Sequence, residues 1–116
     1  MTHRSLRTVF LAGIGAWLCV ASLQPALAHH PVLAKFDGAK PSTLDGVVTK
    51  VDWANPHVHV FMNVRESSGR MKNWAVEIQS PIELEWAGWR ADTLKPGEAI
   101  EVEGILARDG SEQLWG

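Results

Sequence analysis

The chain has one cysteine, no tyrosine, no long run of like charge and no second apolar stretch after its N-terminal one. Each absence excludes something. Cys19 lies inside the N-terminal apolar run, so the rest of the chain has no thiol for a disulfide, a thiolate zinc site or a cysteine nucleophile. With no basic excess, there is no electrostatic footprint for nucleic acid or for an anionic membrane surface. Serine is sparse and confined to turn-like stretches. No Ser/His/Asp order, phosphate-cradling glycine loop or nucleophile elbow can be read, which argues against a hydrolase.

The N-terminal stretch reads as an export signal. Arg4 and Arg7 form a positive leader, Val9 to Val20 is apolar and uncharged, and Ala26-Leu27-Ala28 supplies the small-x-small cleavage pattern. The apolar run is shorter than the roughly 18–20 residues that span a bilayer. The expectation is a signal peptide over 1–28 and a periplasmic product starting at His29, with no stable membrane insertion after cleavage. An uncleaved anchor is the alternative. Cleavage leaves 88 residues with 9 basic and 13 acidic side chains. A domain of that size without cross-links is marginal unless it packs well or binds something.

Residues 29–116 then read as one small β-rich domain. His29 to Lys40 carries Pro31 and Gly38 and is expected to be an irregular arm, not a helix, pinned by Val32, Leu33 and Phe36. Thr43 to Trp53 is a strand with Val47, Thr49, Val51 and Trp53 on one face, and Gly46 marks a bulge or sharp coil. A bend at Asn55-Pro56 leads into His57 to Val64, where Val58, Val60, Met62 and Val64 alternate with His57, His59, Phe61 and Asn63. Glu66 to Arg70 is a hairpin turn into a strand from Lys72 to Gln79. Ser80-Pro81-Ile82-Glu83 is a capping-box signature for a short helix in which Ile82 and Trp86 share a face, with Gly88 as its terminator. A fourth strand carries Ile100, Val102 and Gly104 on one face, and Leu114-Trp115 opens a fifth. The expected fold is a small curled antiparallel sheet or a partly open OB-like barrel with one short helix. A plain meander is the alternative. The fifth strand looks cut short, so a C-terminal truncation is expected.

The ordered anchors His29-His30, Phe36-Asp37, Val51-Asp-Trp53, Asn55-Pro56-His57, Trp74-Ala-Val-Glu77, Ser80-Pro81, Gly88-Trp89, Leu94-Lys-Pro-Gly97 and Asp109-Gly-Ser111 carry a family likeness. They resemble a family of small exported bacterial proteins catalogued only as a domain of unknown function. The resemblance implies a periplasmic location, a compact β-rich fold and a further strand after the Asp-Gly-Ser turn. It implies no activity.

Four histidines survive cleavage: His29, His30, His57 and His59. Processing would give His29 a free α-amine beside its imidazole, a chelating pair. His57 and His59 lie two apart on one strand face, about 7 Å along the backbone. A nitrogen-rich set of this kind suits copper, with nickel and zinc behind it. Glu77, facing outward on the next strand, could orient these rings or join them as a ligand. Trp53 and Trp89, beside the bend and at a helix end, are candidates to line an apolar pocket, while most tryptophans are expected in the core. The expected function is a metal-binding carrier or accessory module serving a membrane or redox partner, and not an enzyme. Two readings stand beside it: a structural or interaction module with incidental histidines, and a metalloenzyme with an N-terminal histidine site.

Overall fold

The computed structural model describes residues 31–116. Residues 1–28, expected to be a signal peptide, and the first two candidate ligands, His29 and His30, lie outside the described residues. Within them the elements run α1 (Val32–Lys35), β1 (Phe36–Asp52), β2 (His59–Arg65), β3 (Met71–Glu77), α2 (Pro81–Trp86), β4 (Ala99–Ala107) and β5 (Gln113–Trp115). The strands form a ring in the order β1-β2-β3-β5-β4, with β4 returning to β1. Every pairing is antiparallel except β3 with β5. The OB-like barrel expected from the strand pattern is therefore the fold found, with the ring closed.

Closure depends on β1. Its first half pairs with β4 and its second half with β2, and the two ladders overlap at Gly46 and Val47. At the crossover the backbones crowd: a Cβ on Gly46 would collide with the Asn63 carbonyl oxygen and lie 2.7 Å from Met62 Cε. Only glycine lets β1 coil this tightly. On the opposite side of the ring, a Cβ on Gly104 would strike the Trp115 carbonyl oxygen where β4 meets β5.

The inward face carries Leu44, Val48, Val58, Val60, Met62, Val76, Ile78 and Leu114, joined by Leu84 from α2. The β2 and β3 faces match their alternation. The β1 face does not follow the expected set. Val48 pairs with Met62 but Lys50 pairs with Phe61, so Thr49 is an extra residue at a bulge. Before the bulge Leu44 and Val48 point inward and Val47 is exposed; beyond it Val51 and Trp53 pack on the core. A one-residue insertion switches the face of everything after it, and alternation alone cannot reveal that.

Two further expectations are corrected. The arm after Pro31 is a single helical turn, and β1 begins at Phe36 and includes Pro41, so this region is neither irregular nor helix-free. Phe36 is buried while Leu33 is exposed. In α2 the capping box forms as expected, with Ser80 N–H donating to Glu83 Oε2 at 3.0 Å and Glu83 N–H to Ser80 Oγ at 3.4 Å. The face differs, however: Leu84 packs on the barrel while Ile82 and Trp86 are exposed, Trp86 to 80%. In a helix of only six residues, the bend at Ser80 fixes which side meets the barrel, and the i, i+4 pair has no vote.

Two pairs of substitutions test this frame. Gly46→Ala should cost about 1–3 kcal/mol in urea unfolding, because backbone as well as side chain must move. Gly38→Ala, whose new methyl meets only Leu33 Cδ2 at 3.4 Å, should cost little. Val60→Asp would bury a charge among apolar neighbours and should unfold the domain. Asn63→Asp, on the outer face, should be tolerated because the Asn63 oxygen already accepts from Asn73 Nδ2 at 3.0 Å. Equal tolerance within either pair would contradict the assigned faces.

Candidate functional site

The candidate site lies on the outer face of the barrel, where strand register brings together residues far apart in sequence. His59 on β2 sits directly across from Glu77 on β3, and Glu77 is paired in turn with Trp115 on β5. His57 shares the His59 side, because Val58 between them is fully buried. The turn of α1 then carries Lys35 across the same carboxylate.

Glu77 is the centre of the cluster. Lys35 Nζ donates to its Oε2 at 2.7 Å, and His57 Nδ1 lies 2.7 Å from its Oε1. His59 Nε2 is 3.6 Å from Oε2, at ion-pair rather than hydrogen-bond range. The Glu77 side chain is only 13% exposed. Burial works to raise its pKa, but donation by Lys35 and His57, the Lys35 charge and the nearby His59 ring outweigh that effect. The carboxyl is held below its ordinary value. An ionised carboxylate only accepts, so His57 Nδ1 carries the proton and, in the neutral ring, Nε2 carries the lone pair.

Aromatic rings hold the imidazoles in place. Trp115 meets the His57 ring edge-on, with centroids 5.1 Å apart at 77°, and Phe61 stacks with His59 at 6.4 Å. Buried Phe36 supports Trp115 from below at 6.1 Å, and Lys35 Nζ passes over the Phe36 ring at 5.0 Å. A carboxylate bonded to an imidazole Nδ1–H, with the ring braced from the side, is a common arrangement for orienting a metal-binding histidine.

The structure thus brings His57, His59 and Glu77 together. Among the described residues, no group of three or more His, Cys, Asp or Glu side chains is arranged to hold a metal ion. Glu77 faces the histidines with Lys35 on its second oxygen, so it orients ligands more readily than it joins them. Lys35 and Trp115 were not anticipated. Lys35 lies 42 residues from Glu77 with no local pattern linking them. For Trp115 the alternation with buried Leu114 was the available signal.

The two aromatic pocket candidates separate. Trp89 lines a cavity of about 430 Å³, together with Val60, Ile78, Leu84, Leu94 and Val102. Trp53 is not among its lining residues and packs on the core instead.

The depressed Glu77 pKa fixes the sign of a pH effect. A carboxylate with a lowered folded-state pKa stabilises the fold above the ordinary glutamate range, about 4.3, and that contribution fades as pH falls through the lower folded value. In chelator-treated protein, Glu77→Gln should lower unfolding stability at neutral pH by about 1.5–3 kcal/mol. The deficit should shrink steadily on acidification. A pH-independent deficit would show that Glu77 acts by shape alone.

A family model, DUF6152, described as a family of unknown function, matches residues 16–114. No curated protein and no solved structure matches the chain. With nearly the whole chain matched, this protein belongs to the DUF6152 family.

Proposed function

We propose that this is an exported, periplasmic metal-binding protein, a carrier or accessory module for a membrane or redox partner, that takes a copper-type ion at the outer-face histidines. The observation that carries this reading is the double use of Glu77. The carboxylate orients His57 through Nδ1 and, through Lys35, ties the start of the described chain beside the same imidazoles. His29 is six residues before Lys35, and with Val32–Lys35 in a helical turn its reach is at most about 15 Å. The processed terminus could therefore add an amine and one or two imidazoles to those of His57 and His59. Four nitrogen donors favour Cu(II) over Ni(II) and Zn(II).

A second reading, a structural or interaction module, also has an observation behind it. The Lys35–Glu77 pair and the contact between Trp115 and His57 join α1, β3, β5 and the segment that leads into β2, a cross-brace that serves the fold without any metal.

Protein exported by its own signal and purified without a tag separates the readings. Intact mass should place its N-terminus at His29. Cu(II) titration followed by calorimetry and electron paramagnetic resonance should show one nitrogen-rich site, weakening toward acid pH as the ligands take up protons. His57→Ala, or one residue added ahead of His29, should abolish tight binding, and Glu77→Gln should weaken it about 10–100-fold. Unchanged affinity in all three would leave the cross-brace reading standing.

A further inference from the structure

One cation already sits beside the two imidazoles, and it belongs to the protein. Lys35 Nζ donates to Glu77 Oε2 at 2.7 Å, and His59 Nε2 lies 3.6 Å from that same oxygen. The ammonium and the His59 nitrogen therefore converge on a single acceptor. The other oxygen, Oε1, takes the His57 Nδ1–H at 2.7 Å. An ion held by His59 Nε2 at about 2.0–2.1 Å, on the side of Glu77, would reach Oε2 as well. That oxygen already holds the ammonium. The Lys35 side chain is 45% exposed and can swing into water, whereas its backbone is fixed. Its carbonyl accepts from the Arg108 N–H at 2.9 Å, Arg108 Nε donates to the Leu33 carbonyl at 2.9 Å, and the adjoining Phe36 is buried. These contacts keep α1 docked whether or not Lys35 touches Glu77.

From this convergence we propose that Lys35 is a built-in competitor that sets the selectivity of the metal site. Its ammonium fills the cation position between Glu77 and His59 in the metal-free protein, and an incoming ion expels it. The proposal rests on the metal reading above and adds a specificity-determining residue to it. An ion drawn by the carboxylate alone exchanges one cation for another and gains little. Hard ions such as Mg(II) and Ca(II), which prefer oxygen, are turned away on that account. An ion that also takes imidazole nitrogen gains bonds the ammonium cannot make, because a lysine ammonium only donates. The same competition eases release. The ammonium returns to Glu77 as the ion leaves, which suits a protein that hands its metal on. A monovalent and a divalent charge about 6 Å apart repel enough, even at the dielectric of water, to weaken binding about tenfold. Salt screening brings this to about fivefold.

The test uses the exported, untagged protein, with Zn(II) as a diamagnetic probe and Mg(II) as the oxygen-seeking control. Calorimetry gives the affinity, and nitrogen NMR follows the Lys35 ammonium directly. In the wild-type protein, Zn(II) should move the Lys35 Nζ signal toward its position in Glu77→Gln, where the charged partner is missing. Mg(II) at the same concentration should leave the signal in place. Lys35→Gln should tighten Zn(II) binding about five- to tenfold, and Lys35→Arg, which keeps the charge, should not. An Nζ signal unmoved by bound Zn(II) would overturn the proposal and leave the metal reading intact. So would unchanged or weaker Zn(II) binding by folded Lys35→Gln. Displacement of the ammonium by Mg(II) as readily as by Zn(II) would overturn the selectivity role. Zn(II) bound by neither the wild type nor Lys35→Gln would remove the metal reading itself, and the competitor with it.

Discussion

The closed barrel rests on a steric constraint at one residue. β1 must serve as neighbour to β4 and to β2 at once, and a single strand can do so only by coiling where the two ladders overlap. Gly46 is that point, and the close approach of Asn63 and Met62 leaves no room for a side chain. The bulge at Thr49 adds the twist that carries the rest of β1 along β2. Once β1 is bent in this way, β2, β3 and β4 follow as hairpin and return strands. Their alternating valines, leucines and isoleucines then fill one interior.

The outer-face cluster depends on that geometry as a consequence of register. Strand pairing aligns His59, Glu77 and Trp115 across three strands, although 18 residues separate the first two and 38 the last two in sequence. Glu77 gains its depressed pKa from the donors around it, overcoming a burial that pulls the other way. The cluster joins the entry of the chain to the barrel wall. It is the place where a metal site or a cross-brace would draw on the same atoms, and chemistry rather than shape separates the two.

The two faces of the molecule differ in kind. The histidine side is polar, braced by rings and rich in donors, whereas α2 and β4 border a cavity walled mainly by apolar side chains. Along β4, exposed Glu101 and Glu103 alternate with half-buried Ile100 and Val102, and all four border the cavity.

How much of this was legible in the sequence follows from the range of each interaction. Alternation at Val58, Val60, Met62 and at Trp74, Val76, Ile78 defined β2 and β3, because side-chain direction in a regular strand is a local property. The Ser80–Glu83 capping box was legible for the same reason: its bonds span three residues. The outward pairing of histidines with Glu77 was within reach once the hairpin at Glu66 to Arg70 set the register. The inward face of β1 was not, because the Thr49 bulge is dictated by β2 across the sheet and leaves no local mark. Nor were the exposure of Trp86 or the arrival of Lys35 at Glu77. Each depends on where a distant element docks, and only the closed barrel decides that.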